Sequence, residues 1–132
     1  MSLPRRVLAA VFALVALAMA LVQLNDPDPI EWVAIYLAGA VVSAAGALGW
    51  QSRRVTLVLL LVAAVWSAWL SPAVPRWLAN HPLAFIGSEA SVSIDYMERS
   101  RECLGLLILV VMLVAQLPRD RRPHSGNRLA RR

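Results

Sequence analysis

Long stretches of this chain carry no charge. Residues 7–24, 33–50, 55–70 and 103–117 contain no Asp, Glu, Lys, Arg or His. A soluble protein of 132 residues has far more surface than core and cannot hide four such stretches. A bilayer can. Apolar residues make up 59% of the chain and charged residues 16%, against about 45–50% and about 25% in ordinary soluble domains. The expectation is an all-α polytopic membrane protein, with four transmembrane helices in an up-down bundle and a short, partly helical external cap segment.

A helical span needs about 20 residues. The sequence offers spans at about 6–24, 30–50, 54–71 and 97–117, all within one transmembrane domain, 1–117. The external segment covers 72–96, and 118–132 form a disordered basic cytoplasmic tail rich in Pro, Gly, Ser and Asn. Arg5 and Arg6 before the first span, with Ala18-Met19-Ala20 late in it, have some look of a cleaved leader. The apolar run is long for one, and three further spans follow, so it is read as a retained helix.

Local signals frame the other spans. Asp28 is placed to cap the second, Pro29 suits its first turn, and Glu31 completes a capping box. Gly39, Ser43 and Ala47, spaced by four, form a strip of small residues for helix packing, or simply reflect how common Ala and Gly are here. The third span is bounded by Pro72, with Trp66 and Trp69 near its exit as interfacial anchors. Asp95 and Glu98 open the fourth, and Pro118 stops it.

Charge then gives direction. All thirteen basic residues are arginine. Arg5, Arg6, Arg53, Arg54, Arg119, Arg121, Arg122, Arg128, Arg131 and Arg132 fall on one side, with Asp120 the only acid there. Arg76, Arg99 and Arg101 fall on the other, among Asp26, Asp28, Glu31, Glu89, Asp95, Glu98 and Glu102. Positive-inside counting places both termini in the cytoplasm, and the membrane expected is the bacterial cytoplasmic (inner) membrane. The basic tail needs only anionic headgroups to explain it. No nucleic-acid-binding fold or aromatic platform accompanies it.

Few residues invite chemistry. The turn Asn25-Asp26-Pro27-Asp28-Pro29 is stiff. Its aspartates serve the turn and the cap, or hold a divalent cation or a proton; Ca²⁺ wants about six to eight oxygens, so these alone bind it weakly. In the external segment Trp77, Leu78, Leu83, Phe85 and Ile86 are too apolar for a free loop and suggest a short interfacial helix around 76–80. His81, Ser88, Ser91 and Ser93 lack the surroundings of a base or nucleophile. Glu102 lies nearest the hydrocarbon in the cluster Glu98, Arg99, Arg101, Glu102. Either that cluster is an exposed helical turn, or Glu102 points inward and requires a partner. On the inward reading the candidate external polar site is a network beneath the cap that includes Asp26, Asp28, Tyr36 and Glu102, to which a family resemblance adds Asn25 and Arg101. No catalytic, metal or cofactor residues are assigned. Cys103 is the single cysteine, and His81 and His124 lie outside the spans, so neither a cysteine-built metal site nor haem ligation is expected.

The turn 25–29 followed by Trp32 and Tyr36, together with Arg101-Glu102 leading through Gly105-Leu106 into the last span, resembles the transmembrane protein 220 family. The resemblance covers roughly 7–117. It implies a small four-helix integral membrane protein of the kind found in bacteria and animals. It singles out Asn25, Asp26, Pro27 and Asp28 in the first turn, and Arg101, Glu102 and Gly105 at the start of span four. It implies no particular reaction, and it favours one external site shared by the two regions.

Three functional classes remain. The first is a non-enzymatic membrane component, structural, accessory or small-ligand-binding, whose partners are membrane lipids and either another protein's helix or a second copy of the chain. The alternative is a small oligomeric carrier of a solute or ion, which normally shows polar residues or broken helices at the midplane. The third, an interfacial lipid-modifying enzyme, would bring His81, Asp95 or Glu102 together in an open cleft.

Overall fold

The computed structural model describes residues 3–26, 29–80 and 95–117. The Asp28 cap, His81 and the serines beyond it, and the basic tail lie outside the described residues. All described elements are helical. α1 (Leu3–Val22) runs into a single 3-10 turn (Gln23–Asn25), and α2 (Pro29–Leu48) returns from it. α3 (Arg53–Leu70) is followed by the short α4 (Ala73–Asn80) and then by α5 (Asp95–Gln116).

Three of these are long and apolar enough to cross a membrane: α1 with its 3-10 turn at 23 residues, α2 at 20 and α3 at 18. α5 is as long but begins differently. Glu98, Arg99, Arg101 and Glu102 occupy its early turns, and the apolar run starts only at Cys103. The outward faces leave no doubt about the solvent. Leu14, Val41, Val58, Leu61, Val65 and Val111 are each more than half exposed, a distribution that would aggregate in water and that lipid accepts.

α1 and α2 form an antiparallel hairpin in which small residues meet. The inward row of α1 is alanine: Ala9 and Ala16 are fully buried and Ala20 nearly so. Opposite them α2 places Ala40 and Gly46, both buried. The Ala9 methyl lies 3.5 Å from where a β-carbon on Gly46 would stand. Lipid gives no hydrophobic force for association, so such close backbone approach is what holds spanning helices together.

α5 is the central strut and touches α1, α2, α3 and α4. Leu106, Leu109 and Leu113 line its inward face and are fully buried. Leu109 enters a notch at Gly39, its Cδ1 lying 2.6 Å from the position of the missing β-carbon. α3 packs on α5 around the buried Ala63. Near its end, the Ser67 hydroxyl donates to the Cys103 carbonyl at 3.1 Å, and the Cys103 thiol donates back to the Ser67 carbonyl at 3.3 Å. Replacing Ser67 by Ala is expected to cost about 0.5–1 kcal/mol, the usual worth of an interhelical hydrogen bond in a membrane; reversible unfolding in mixed detergent micelles measures it.

Two differences from the sequence reading have clear causes. α2 stops at Leu48 rather than at Trp50, because Gly49 turns into the left-handed region at φ +89°. Its N–H donates to Gly46 and that of Trp50 to Ala45, the pair of bonds that closes a helix with a C-terminal glycine. Trp66 is also no simple interfacial anchor. It stacks on Trp32 of α2, ring centres 4.9 Å apart, while Trp69 stays largely exposed. The short helix α4 covers Ala73–Asn80, with Ala73 and Trp77 buried. Pro75 falls in its first turn, where a missing N–H costs nothing.

Candidate polar site at the α1–α2 turn

Tyr36 stands two turns into α2 and is 1% exposed. Its hydroxyl reaches α5 at Gly105 and occupies the space that a β-carbon there would need. Only glycine fits. The Cζ atom of the same ring lies 3.4 Å from that position and the Met19 methyl of α1 lies 3.7 Å from it, so three helices meet at one missing methyl group.

The hydroxyl is hydrogen-bonded to the side chain of Gln23, and Glu102 and Asp26 lie within electrostatic reach. Local structure explains each position. The 3-10 turn tightens the end of α1 and ends where the Asp26 N–H donates to the Gln23 carbonyl at 3.1 Å. This brings Gln23 and Asp26 over the start of α2. Glu102 is half-buried and sits one turn before Gly105, on the same side of α5. An amide, a phenol and two carboxylates are thus gathered from α1, α2 and α5.

Among the described residues, no group of three or more His, Cys, Asp or Glu could hold a metal ion.

The expected site residues are distributed unevenly. Asp26 and Glu102 each lie within electrostatic reach of Tyr36. Asn25 is exposed in the 3-10 turn, Arg101 is exposed on α5, and Asp28 lies outside the described residues. Of the expected packing strip, Gly39 and Ser43 are buried and Ala47 is half-buried, while Gly46 takes the fully covered position after Ser43. Gln23 escaped the sequence reading because a glutamine at a span end reads as an exit marker.

A second polar group at the opposite end was also missed. Gln116 is 7% exposed, and its amide donates to the Ser43 hydroxyl at 3.0 Å and to the Met112 carbonyl at 3.1 Å. Gln51 in turn donates to the Gln116 carbonyl at 2.8 Å. The signal was present: Gln116 is the one amide side chain in 103–117 and lies two heptads after Glu102, on nearly the same helix face. Between the two ends the core is Leu106, Leu109 and Leu113.

No curated protein matches this chain, and no solved structure does. The family described as "Transmembrane family 220, helix" matches residues 11–117, from the first half of α1 to the end of α5. A match over that much of the sequence makes the chain a member of transmembrane family 220.

Proposed function

We propose that the protein is a four-span, non-enzymatic component of the bacterial cytoplasmic membrane, with both termini in the cytoplasm and a small-ligand or partner site at the external end. α5 is the fourth span. Its apolar run of about 15 residues reaches only about 22 Å, short of the roughly 30 Å hydrocarbon. The early turns of α5 make up the difference, their arginine stems lying along apolar surface while the guanidinium groups stay in the interface. The arginine asymmetry supports the orientation.

The observation that carries the role is the contrast between the ends and the middle. Tyr36 with Gln23, Asp26 and Glu102 forms a preorganised polar group at one end, on a bundle whose interior beneath is packed leucine. Asn25 and Arg101 are assigned to the rim of the same site. A packed leucine layer favours a binding or accessory component over a carrier.

Reporter fusions at both termini are expected to report the cytoplasm, and a reporter inserted in 81–94 the external side; opposite compartments for the termini would remove the orientation. For the role, the full chain purified in mild detergent is expected to retain a small molecule or a defined partner, by native mass spectrometry, that Glu102→Gln loses. Retention unchanged in Glu102→Gln would assign the binding elsewhere.

A further inference from the structure

We propose that the turn joining α2 to α3 binds the phosphate of an anionic phospholipid, with Arg6 as its central contact. The proposal rests on the membrane orientation above. Nη2 of Arg6 lies 3.1 Å from where a β-carbon on Gly49 would stand, and its Cζ lies 3.7 Å away. The guanidinium from the first turns of α1 is therefore laid across the turn that closes α2. Gly49 admits it twice over: its φ of +89° makes the turn, and its missing side chain leaves the room.

Arg53 and Arg54 follow four and five residues later and open α3, and Arg5 precedes Arg6. The Arg6 guanidinium thus reaches a turn that Arg53 and Arg54 follow directly in sequence. On this side of the membrane the sequence places ten arginines and one acid, Asp120, so positive charge stays in excess. Like charges so gathered repel, and an anion among them relieves the repulsion. Guanidinium groups take phosphate oxygens in pairs, with geometry that an ammonium lacks. The same turn holds the N-cap of α3, Ser52, which makes no side-chain capping bond, so the positive end of that helix dipole adds to the field.

Inorganic phosphate would satisfy the same chemistry. Depth favours the lipid. Trp50, Leu48 and Val55 flank the arginines at 80%, 65% and 54% exposure, and tryptophan so placed marks the headgroup level. A phosphate here carries its acyl chains against the exposed apolar sides of α2 and α3.

The test uses the full chain in detergent micelles, with phosphatidylglycerol or phosphatidylcholine as probe and retained lipid read by native mass spectrometry. Phosphatidylglycerol is expected to be retained about five- to ten-fold better, on the order of one arginine contact. Arg6→Ala should abolish the preference, and Arg131→Ala, which removes the same charge from the tail, should leave it intact. Gly49→Asn keeps every arginine and tolerates the left-handed backbone, yet its side chain displaces the guanidinium; it should lose the preference as Arg6→Ala does, and circular dichroism checks that the helices persist. Equal losses in Arg6→Ala and Arg131→Ala, or no preference in the parent, overturn the proposal. Displacement of the lipid by millimolar inorganic phosphate overturns its assignment to lipid. The reporter fusions read orientation separately, so a correctly oriented chain without the preference counts against this site alone.

Discussion

Gly105→Ala is expected to destabilise the bundle by about 2 kcal/mol, and the same substitution in a Tyr36→Phe background is expected to be neutral or stabilising. The sign reversal follows from competing terms. Exchanging glycine for alanine inside a helix gains about 1 kcal/mol from backbone entropy. Against this, the new methyl overlaps the Tyr36 hydroxyl. That oxygen is the end of a rigid, fully buried ring, so overpacking cannot be relieved by a rotamer change and costs about 1–3 kcal/mol or more. Phenylalanine removes the overlapping atom, and the next contact, Cζ at 3.4 Å, is ordinary packing. Tyr36→Phe alone gives up the bond to Gln23, worth about 0.5–1.5 kcal/mol. A double-mutant cycle in mixed micelles reads the coupling directly. Additive effects would mean that Tyr36 and Gly105 do not share one seat. Gly39→Ala is a useful contrast, since its neighbour is the rotatable methyl of Leu109; its penalty should be smaller.

The sequence made most of the helical plan legible and much less of the site. Charge-free runs gave α1 and α3 within a few residues, because lipid forbids charge and no other signal competes. In residues 72–96 the apolar side chains pointed to a short helix around 76–80, and the helix there begins earlier, at Ala73, and packs on α5. The end of α2 was misplaced by two residues because Gly49 looked like one more small residue in an Ala- and Gly-rich stretch. Glu102 was legible as a costly polar group near hydrocarbon, with Asp26 and Tyr36 as its candidate neighbours. Gln23 was not, because a glutamine at the end of a span reads as its exit, and Gln116 was missed although its spacing from Glu102 sets both on nearly one helix face. Pairing was equally hidden. Nothing in the periodicity of α3 indicates that it packs chiefly on α5.

Ala16→Leu and Ala18→Leu, two residues apart on α1, are expected to behave oppositely. Ala16 is fully buried against Ala40, Met112 and Phe12, whereas Ala18 is exposed. Three added carbons at Ala16 enter a contact that is close because both faces are small, and they must part α1 from α2; a penalty of about 3 kcal/mol or more is expected. At Ala18 the same carbons meet lipid, whose tails are as apolar as leucine, and folding should be unchanged. In water the exposed substitution would enlarge an apolar patch and promote aggregation. Thermal unfolding of both variants in micelles therefore tests two claims together: which face of α1 belongs to the protein, and which solvent the other face was built for. Equal penalties at both positions would mean that α1 is surrounded by protein on both sides, as in an oligomer that buries Ala18.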